Sequence, residues 1–437
     1  MRIHRAVRCH LVLCVLLAFC VAAEAQVLSN DFTTDPTAAG WTYDGSAGWS
    51  AANGYITAQS SYKKWESPEF AVTPFGYHRV TFRSSAPVTK GYFATVYVNP
   101  VATWGRWLAS TRGELITDNY TSVMASSSWV DNTYYTRALP NAATGYVRFQ
   151  GIDSSINIDD VQVEAAAGHA EVATWADSVY AAMPLMDYDA ESDRFDFMPR
   201  TITKLEAGST VNIVLLGDSI MNDTSNSAFE VLVERMYAGA QINVITAVGG
   251  GTGMDKWNHP ESYPTHDLKL QEAVIDQQPD LVMIGGISNG TSYQDIRDVI
   301  GKVRDGVDVG FGYEPDIMLM TGAFGANANP LAGGSTWYRD IDPNGTDYRS
   351  NLYRIAEDEQ TAFLDMMGVW GQYMIDAQGG VYDPDKYDWF FRDSVHANTY
   401  GKQVLGRALE EFFTPIPEPA TLSLLAVAGL AAIRRRR

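Results

Sequence analysis

The stretch VNIVLLGDSIMND, residues 211–223, sets six mostly aliphatic residues directly before Gly217, Asp218 and Ser219. A short apolar run that ends in glycine and polar residues is typical of a buried β-strand leading into a helix. Ser219 would then lie at the carboxyl end of the strand, where the helix begins. A serine there can cap the helix, since serine is a preferred N-cap residue, or it can act as a nucleophile.

Residues 201–414 contain five apolar runs of strand length that alternate with segments in which apolar residues recur at helical spacing. The runs are 211–216, 242–248, 281–284, 317–320 and 362–364. Five strand–helix units in series predict an α/β architecture, with a parallel sheet covered by helices on both faces. All five strands would end at the same edge of the sheet, where ligands bind in this class of fold.

A second polar group, FRDSVHAN in residues 391–398, comes directly before the last predicted helix. Asp393 and His396 are three residues apart, so both can face the sheet edge at which Ser219 lies. A serine, a histidine and an aspartate together can perform acyl transfer, because the imidazole takes the hydroxyl proton and the carboxylate orients the imidazole. The three residues are therefore candidates for a catalytic triad.

The Gly-Asp-Ser of residues 217–219 and the Asp-x-x-His of residues 393–396 resemble the motifs of the SGNH, or GDSL, hydrolase family. The resemblance implies a flavodoxin-like three-layer α/β/α fold and ester hydrolysis without a cofactor. It places the roles of nucleophile, orienting acid and general base on Ser219, Asp393 and His396.

The same resemblance, which covers about residues 205–413, implies an oxyanion hole formed by the backbone N–H of Ser219, a glycine and an asparagine. The glycine corresponds to Gly251, with Gly250 as the alternative, in the glycine-rich run after the second strand. Backbone N–H groups of glycine can approach an anion closely because no side chain hinders them.

The third family motif departs from its usual form Gly-x-Asn-Asp, because residues 286–290 read Gly-Ile-Ser-Asn-Gly. The asparagine comes one residue late and the aspartate is absent. Asn289 is the candidate donor to the oxyanion, since no other asparagine is close, and Ser288 is the alternative. This departure keeps open a different function, that of a non-catalytic surface or matrix protein that binds glycan.

Residues 27–164 carry short alternating runs separated by clusters of Gly, Pro, Asn and Ser, which is the pattern of antiparallel strands in a β-sandwich. The segment resembles the jelly-roll carbohydrate-binding modules found beside secreted polysaccharide enzymes. Most of its tryptophans are expected in the core, since large aromatic side chains favour burial. Trp104 and Trp107, in a predicted loop, are the candidate sugar contacts.

Residues 166–200 contain an alanine-rich helical pattern and then a polar stretch. We expect this segment to connect two domains that each fold alone.

Both ends of the chain carry candidate sorting signals. Residues 1–25 combine three arginines, an apolar run and an Ala-Glu-Ala cleavage site, as secretory signal peptides do. Residues 417–437 begin with Pro-Glu-Pro, continue with an apolar stretch and end in four arginines, and they resemble the PEP-CTERM tails of Gram-negative bacteria. We expect an exported protein that sorting machinery processes, located at the cell surface, at the outer membrane or in the extracellular matrix.

The net charge and the cysteine positions exclude some classes of partner, nucleophile and metal site. The net charge of −20 argues against a nucleic-acid partner, because phosphate binding needs clustered Lys and Arg. All three cysteines lie in the first 20 residues, so the nucleophile must be an oxygen and no thiolate metal site can form elsewhere. Residues 340–347 imitate the start of a calcium loop, but Asn351 stands where a bidentate Glu is needed, so no metal is predicted.

Together these features predict a secreted serine esterase whose substrate is an acetylated extracellular polysaccharide. A lipase or thioesterase of the same family is an alternative, and a long apolar acyl channel would distinguish it.

Overall fold

The computed structural model describes residues 26–45, 48–86, 91–99, 115–123, 126–140, 142–151, 155–263, 268–288, 293–322, 341–377, 379, 390–392 and 395–416. The two candidate sorting signals, 1–25 and 417–437, lie outside these residues. Among the helices that are described, none combines the length and the apolar composition needed to cross a membrane.

The described part of residues 26–165 forms two antiparallel β-sheets. The strands are β1 (Gln26–Asn30), β2 (Thr42–Tyr43), β3 (Ile56–Ala58), β4 (Lys64–Glu66), β5 (Phe70–Ala71), β6 (Tyr77–Ala86), β7 (Gly91–Asn99), β8 (Leu115–Val123), β9 (Ser126–Arg137), β10 (Thr144–Gly151) and β11 (Ile156–Ala165). One sheet has the order β1-β11-β6-β9, with β3 also paired to β11. The other has the order β2-β4-β10-β7-β8, with β5 also paired to β10.

The two sheets enclose an aromatic core, as the alternating sequence pattern predicts. The ring of Phe82 lies 5.2 Å from that of Phe93 and 4.9 Å from that of Phe149, and Trp41 and Trp65 are each 2% exposed. The alternation in β11 shifts at a bulge between Asp159 and Gln162, which keeps two apolar side chains buried on each side of the bulge. These side chains are Ile156, Ile158, Val161 and Val163.

The C-terminal part is built on a parallel sheet of order β13-β12-β14-β15-β16. Its strands are β12 (Thr210–Gly217), β13 (Gln241–Val248), β14 (Leu281–Ile284), β15 (Asp316–Met320) and β16 (Ala362–Leu364). The five predicted strands and the mixed α/β class are thereby confirmed, and the strand bounds agree with the prediction to within one residue. Because the strands are parallel, their carboxyl ends share one edge.

Helices lie before, between and after these strands. They are α1 (His169–Tyr180), α2 (Pro199–Glu206), α3 (Ser219–Ser225), α4 (Phe229–Glu234), α5 (Met254–Asn258), α6 (Leu270–Ala273), α7 (Tyr293–Phe311), α8 (Tyr348–Glu359), α9 (Met366–Ala377) and α10 (Thr399–Phe412). Short 3₁₀ helices span Pro36–Ala39, Pro260–Ser262 and Ile275–Gln277.

Side chains of β12 alternate between two buried clusters, one on each face of the sheet. Ile213 and Leu215 pack in the cluster that includes Trp370 of α9 and side chains of α10. Val214 and Leu216 pack in the other, with side chains of α7. Successive strand residues point to opposite faces, so a run that is apolar throughout requires a cover on both sides.

The segment expected to be a connector contains α1, which packs between the two parts of the molecule. Val172, Ala173 and Ala176 of this helix share a buried cluster with Tyr77 and Tyr135 of the sandwich and with Val231 and Leu232 of α4. Small side chains on one face of α1 allow this close packing. The segment therefore contributes to the contact between the sandwich and the α/β part.

Candidate active site

Ser219 is the first residue of α3, and Asp218 occupies the N-cap position before it. The Asp218 carboxylate accepts a hydrogen bond from the backbone N–H of Ile220 at 2.9 Å. Asp218, and not Ser219, therefore caps this helix. The Ser219 hydroxyl makes a different contact. Gly217 ends β12 where the chain passes closely against the next strand, since a Cβ there would lie 2.3 Å from the carbonyl oxygen of Gly285.

The structure brings His396 to Ser219, although the two are 177 residues apart in sequence. The Nε2 atom of His396 lies 2.8 Å from the Oγ atom of Ser219. His396 belongs to a short loop whose ends, Phe391 and Ala397, pair as an isolated antiparallel bridge. The backbone N–H of Arg392 also donates to the His396 carbonyl at 2.9 Å. An imidazole at this distance can take the hydroxyl proton.

Four of the predicted site residues lie outside the described residues. They are Trp104, Trp107, Asn289 and Asp393. Their roles in sugar contact, in the oxyanion hole and in the triad stay predictions.

A buried ion pair joins the helix that begins with Ser219 to the loop that carries His396. Asp223 follows Ser219 by one helical turn, and its carboxylate accepts from Arg392 at 2.7 Å and from the N–H of Ala397 at 2.8 Å. The Arg392 guanidinium also donates to the Ala397 carbonyl at 2.7 Å. Asp223 is 1% exposed and Arg392 is 5% exposed, so this clamp is shielded from water and should be little screened by salt.

Lys402 of α10 is buried near this clamp. Burial lowers the pKa of its ammonium to about 7, although the Asp223 carboxylate acts in the opposite direction. The Arg392 guanidinium adds to the lowering. Sequence reasoning missed Asp223, Arg392 and Lys402. The sequence does contain a signal for Asp223. It follows Ser219 by four residues on the predicted helix, and residues four apart on a helix lie on the same face.

Asp218 also fixes the loop that precedes Asn289. Its carboxylate accepts from the backbone N–H groups of Ile287 and Ser288, both at 2.8 Å. Gly286 adopts a φ of +111°, and a Cβ there would lie 2.5 Å from the Asp218 carboxylate, so only glycine fits. Because its N–H is bound by Asp218, Ser288 could reach an oxyanion only through its hydroxyl.

Gly251 lies in a turn directly after β13, with a φ of +62°. The ammonium of Lys256 donates to its carbonyl at 2.6 Å, which holds the peptide in place. Among the described residues, the backbone N–H groups of Gly250, Gly251 and Ser219 have no hydrogen-bond acceptor. N–H groups of this kind beside a nucleophile can stabilise a developing oxyanion.

No group of three or more His, Cys, Asp or Glu side chains within the described ranges is arranged to hold a metal ion. In the loop that imitates a calcium site, Asp347 instead caps α8 by accepting from the N–H of Ser350 at 3.0 Å. Arg354 donates to the Gly345 carbonyl at 2.6 Å. The Asp347 carboxylate and the Gly345 carbonyl of this loop are thus hydrogen-bonded within the protein.

No family model and no curated protein matches the chain. Solved structures that are similar to this chain at low identity include the following three. A protein from Bacillus subtilis has 12% identity and a TM-score of 0.33, over 86% of this chain and 90% of that chain. A family two carbohydrate esterase from Cellvibrio japonicus has 11% identity and a TM-score of 0.23, over 78% of this chain and 88% of that chain. The CBM22-1 xylan-binding domain from Paenibacillus barcinonensis has 10% identity and a TM-score of 0.25, over 33% of this chain and 97% of that chain.

Proposed function

We propose that the protein is an exported serine esterase of the SGNH type that removes acetyl groups from an extracellular polysaccharide. The observation that carries the proposal is the 2.8 Å distance between the Ser219 hydroxyl and the His396 imidazole, at the carboxyl edge of a parallel sheet. A serine and a histidine in hydrogen-bond contact are the minimum that nucleophilic acyl transfer requires.

In the proposed reaction, Ser219 Oγ attacks the ester carbonyl carbon while His396 Nε2 takes the hydroxyl proton. The carbonyl oxygen becomes an oxyanion that receives hydrogen bonds from the N–H groups of Ser219 and Gly251 and from the Asn289 side chain. When the tetrahedral intermediate collapses, the sugar oxygen leaves and His396 returns the proton to it. The products of this half-reaction are the free sugar hydroxyl and an acetylated Ser219.

The second half-reaction releases acetate. His396 takes a proton from a water molecule, and the water oxygen attacks the acetyl carbonyl. Collapse of the new tetrahedral intermediate breaks the bond to Ser219 Oγ, which regains its proton from His396. In this proposal Asp393 orients the imidazole and stabilises the imidazolium, and no cofactor takes part.

The choice of a polysaccharide substrate rests on the β-sandwich and on the candidate export signals. Jelly-roll modules beside hydrolase domains bind glycan in secreted polysaccharide enzymes, and the sequence of residues 27–164 resembles such modules. The proposed location is outside the cell, at the surface or in the matrix of a Gram-negative bacterium.

The test is to measure acetate released by the full chain from a panel of acetylated glycans, with the Ser219→Ala variant as the control. We expect release by the parent chain and a loss of at least about 1,000-fold in the variant, since its nucleophile is missing. A series of soluble esters with increasing acyl length would separate an acetylesterase from a lipase or thioesterase. Glycan binding by a parent chain that releases no acyl group would favour the non-catalytic alternative.

A further inference from the structure

The β-sandwich contacts both chain segments that carry the Ser219–His396 pair. Tyr92 of β7 donates its hydroxyl to the Arg392 carbonyl, on the loop that carries His396, at 3.0 Å. Arg137, the last residue of β9, donates a guanidinium N–H to the Ser225 carbonyl at 2.8 Å. Ser225 is the last residue of α3, which begins with Ser219.

Arg137 is held in place by a buried carboxylate of the α/β part. Its other guanidinium nitrogen donates to Glu230 of α4, and the Tyr77 hydroxyl of β6 donates to the same carboxylate oxygen at 2.5 Å. Glu230 is 0% exposed and Arg137 is 8% exposed. A buried ion pair of this kind is costly to disrupt, because removing one partner leaves the other charged group without compensation.

The position of Arg137 at the end of α3 affects the other end of that helix. The helix has seven residues and, at about 1.5 Å per residue, it is only about 10 Å long. A short helix moves as one body, so the contact at Ser225 constrains the position of Ser219. The positive charge of Arg137 also lies where the helix presents its free carbonyl groups, which is favourable.

Tyr92 contacts Arg392, the residue whose side chain and backbone hold the His396 loop in place. Arg392 makes the buried ion pair with Asp223, and its backbone N–H donates to the His396 carbonyl. The Tyr92 hydroxyl holds the remaining polar group of the same backbone segment, the Arg392 carbonyl. The loop is thus fixed from the α/β part through the side chain of Arg392 and from the sandwich through its carbonyl.

We propose that the β-sandwich is a positioning element of the candidate active site, in which Arg137 holds the Ser219 helix and Tyr92 holds the His396 loop. This inference rests on the proposed function only in assigning ester hydrolysis to the pair that is positioned. It differs from a targeting role, because a positioning element affects turnover of a small soluble ester that the sandwich does not bind. An error of about 1 Å in the placement of reacting groups can lower a rate by about 100-fold.

The first test replaces Tyr92 by Phe in the full chain. The substitution removes one hydroxyl, and we expect kcat on a small acetyl ester to fall about 10-fold with KM changed less than about twofold. The melting temperature should change by less than about 2 °C, because only one partly exposed hydrogen bond is lost. The matched control is Tyr237→Phe, which removes a hydroxyl bond of 2.7 Å to the Phe413 carbonyl at the end of α10 and should leave kcat unchanged. An unchanged kcat in Tyr92→Phe would overturn the role of Tyr92.

The second test removes the contact of Arg137 without leaving a buried charge unpaired. In the double variant Arg137→Met with Glu230→Gln, the glutamine side chain still offers an acceptor to the Tyr77 hydroxyl. We expect this variant to fold and its kcat to fall about 10-fold. Glu230→Gln alone is the comparison. It leaves the Arg137 cation uncompensated and should lower stability, but the amide oxygen can still accept from Arg137 and the bond to Ser225 is kept, so kcat per folded molecule should be unchanged. Equal kcat for the folded double variant and Glu230→Gln would overturn the role of Arg137.

A third measurement separates this inference from the proposed function. If the parent chain hydrolyses no ester, the proposed function fails, but the geometry of His396 can still be read from the ring nitrogen and carbon shifts in an NMR spectrum. We expect Tyr92→Phe to change the His396 shifts and Tyr237→Phe to leave them as in the parent. Identical His396 shifts in all three proteins would overturn the role of Tyr92, whatever the activity.

Discussion

The Asp223 carboxylate and the Arg392 guanidinium form a buried pair at 2.7 Å that joins the Ser219 helix to the His396 loop. Asp223 uses its second oxygen to accept from the backbone of the same loop, at Ala397. Both interactions connect segments that are far apart in sequence and that each carry one member of the candidate catalytic pair. The geometry of that pair therefore depends on a carboxylate that does not itself contact the reacting atoms.

Asp223→Asn should destabilise the fold and lower turnover. The amide cannot accept from both Arg392 and Ala397, and it leaves the Arg392 cation buried with less compensation. We expect a loss of about 3 kcal/mol in the free energy of unfolding, as for other broken buried pairs. Denaturant titration measures this loss, with the exposed Asp376→Asn as the matched control. A stability equal to that of the control would show that the clamp contributes little.

The strands and the position of Ser219 at a strand end follow from local sequence patterns, whereas the pairing of Ser219 with His396 is what the resemblance of their two motifs to a hydrolase family predicts. Apolar runs bounded by glycine and polar residues define β12 to β16, and parallel strands bring their following residues to one edge. The Arg137–Glu230 contact has no such pattern, because it joins a strand end of the sandwich to a helix 93 residues later. Charged residues are expected at the surface, so sequence reasoning cannot tell which of them a distant partner will bury.

The glycine of the candidate oxyanion hole can be identified by a matched pair of substitutions. Gly251→Ala places a side chain at a φ of +62°, where its Cβ would meet nothing within 4 Å, so the cost is backbone strain of about 1 kcal/mol. Gly239→Ala, at a φ of +83° and with no atom closer than 3.7 Å, should cost about the same and leave kcat unchanged.

We expect Gly251→Ala to lower kcat by about 10-fold or more, because the added Cβ hinders the close approach of the oxyanion to the backbone N–H, which alanine itself keeps. Gly250→Ala is the third member of the comparison. If it lowers kcat and Gly251→Ala does not, the donor is Gly250. Loss of kcat in Gly239→Ala as well would mean that strain alone explains the effect.

Lys402 should make stability depend on pH above neutrality. Its pKa is about 7 in the folded chain, against about 10.4 for an exposed lysine, so between these values the unfolded chain binds a proton that the folded chain does not. The free energy of unfolding should therefore rise with pH across this window. Burial raises the pKa of Tyr97 and Tyr134, which opposes the trend only above about pH 10, where unfolded tyrosines ionise.

The comparison that isolates this effect is the parent chain against Lys402→Met at pH 7.5 and pH 9.5. We expect the free energy of unfolding of the parent to gain about 2 kcal/mol relative to the variant over this interval. Other titrating groups cancel in the difference. Parallel pH profiles of the two proteins would mean that Lys402 keeps its proton when buried.

Removing the sandwich should impair hydrolysis of a small soluble acetyl ester. Sequence patterns alone predict full activity for residues 200–415, because all proposed catalytic groups lie within them, but that chain lacks Tyr92 and Arg137 and uncovers Val231 and Leu232. Residues 166–415 keep α1 over those side chains, so we expect this chain to fold better and use it as the comparison. We expect both chains to lose at least about 10-fold in kcat per folded molecule, with the folded fraction measured by circular dichroism.

Tethering to a polymer raises the local concentration of sites only for polymeric substrates, so a loss on the small ester cannot come from lost targeting. Full turnover of that ester by residues 166–415 would leave targeting as the main role of the sandwich.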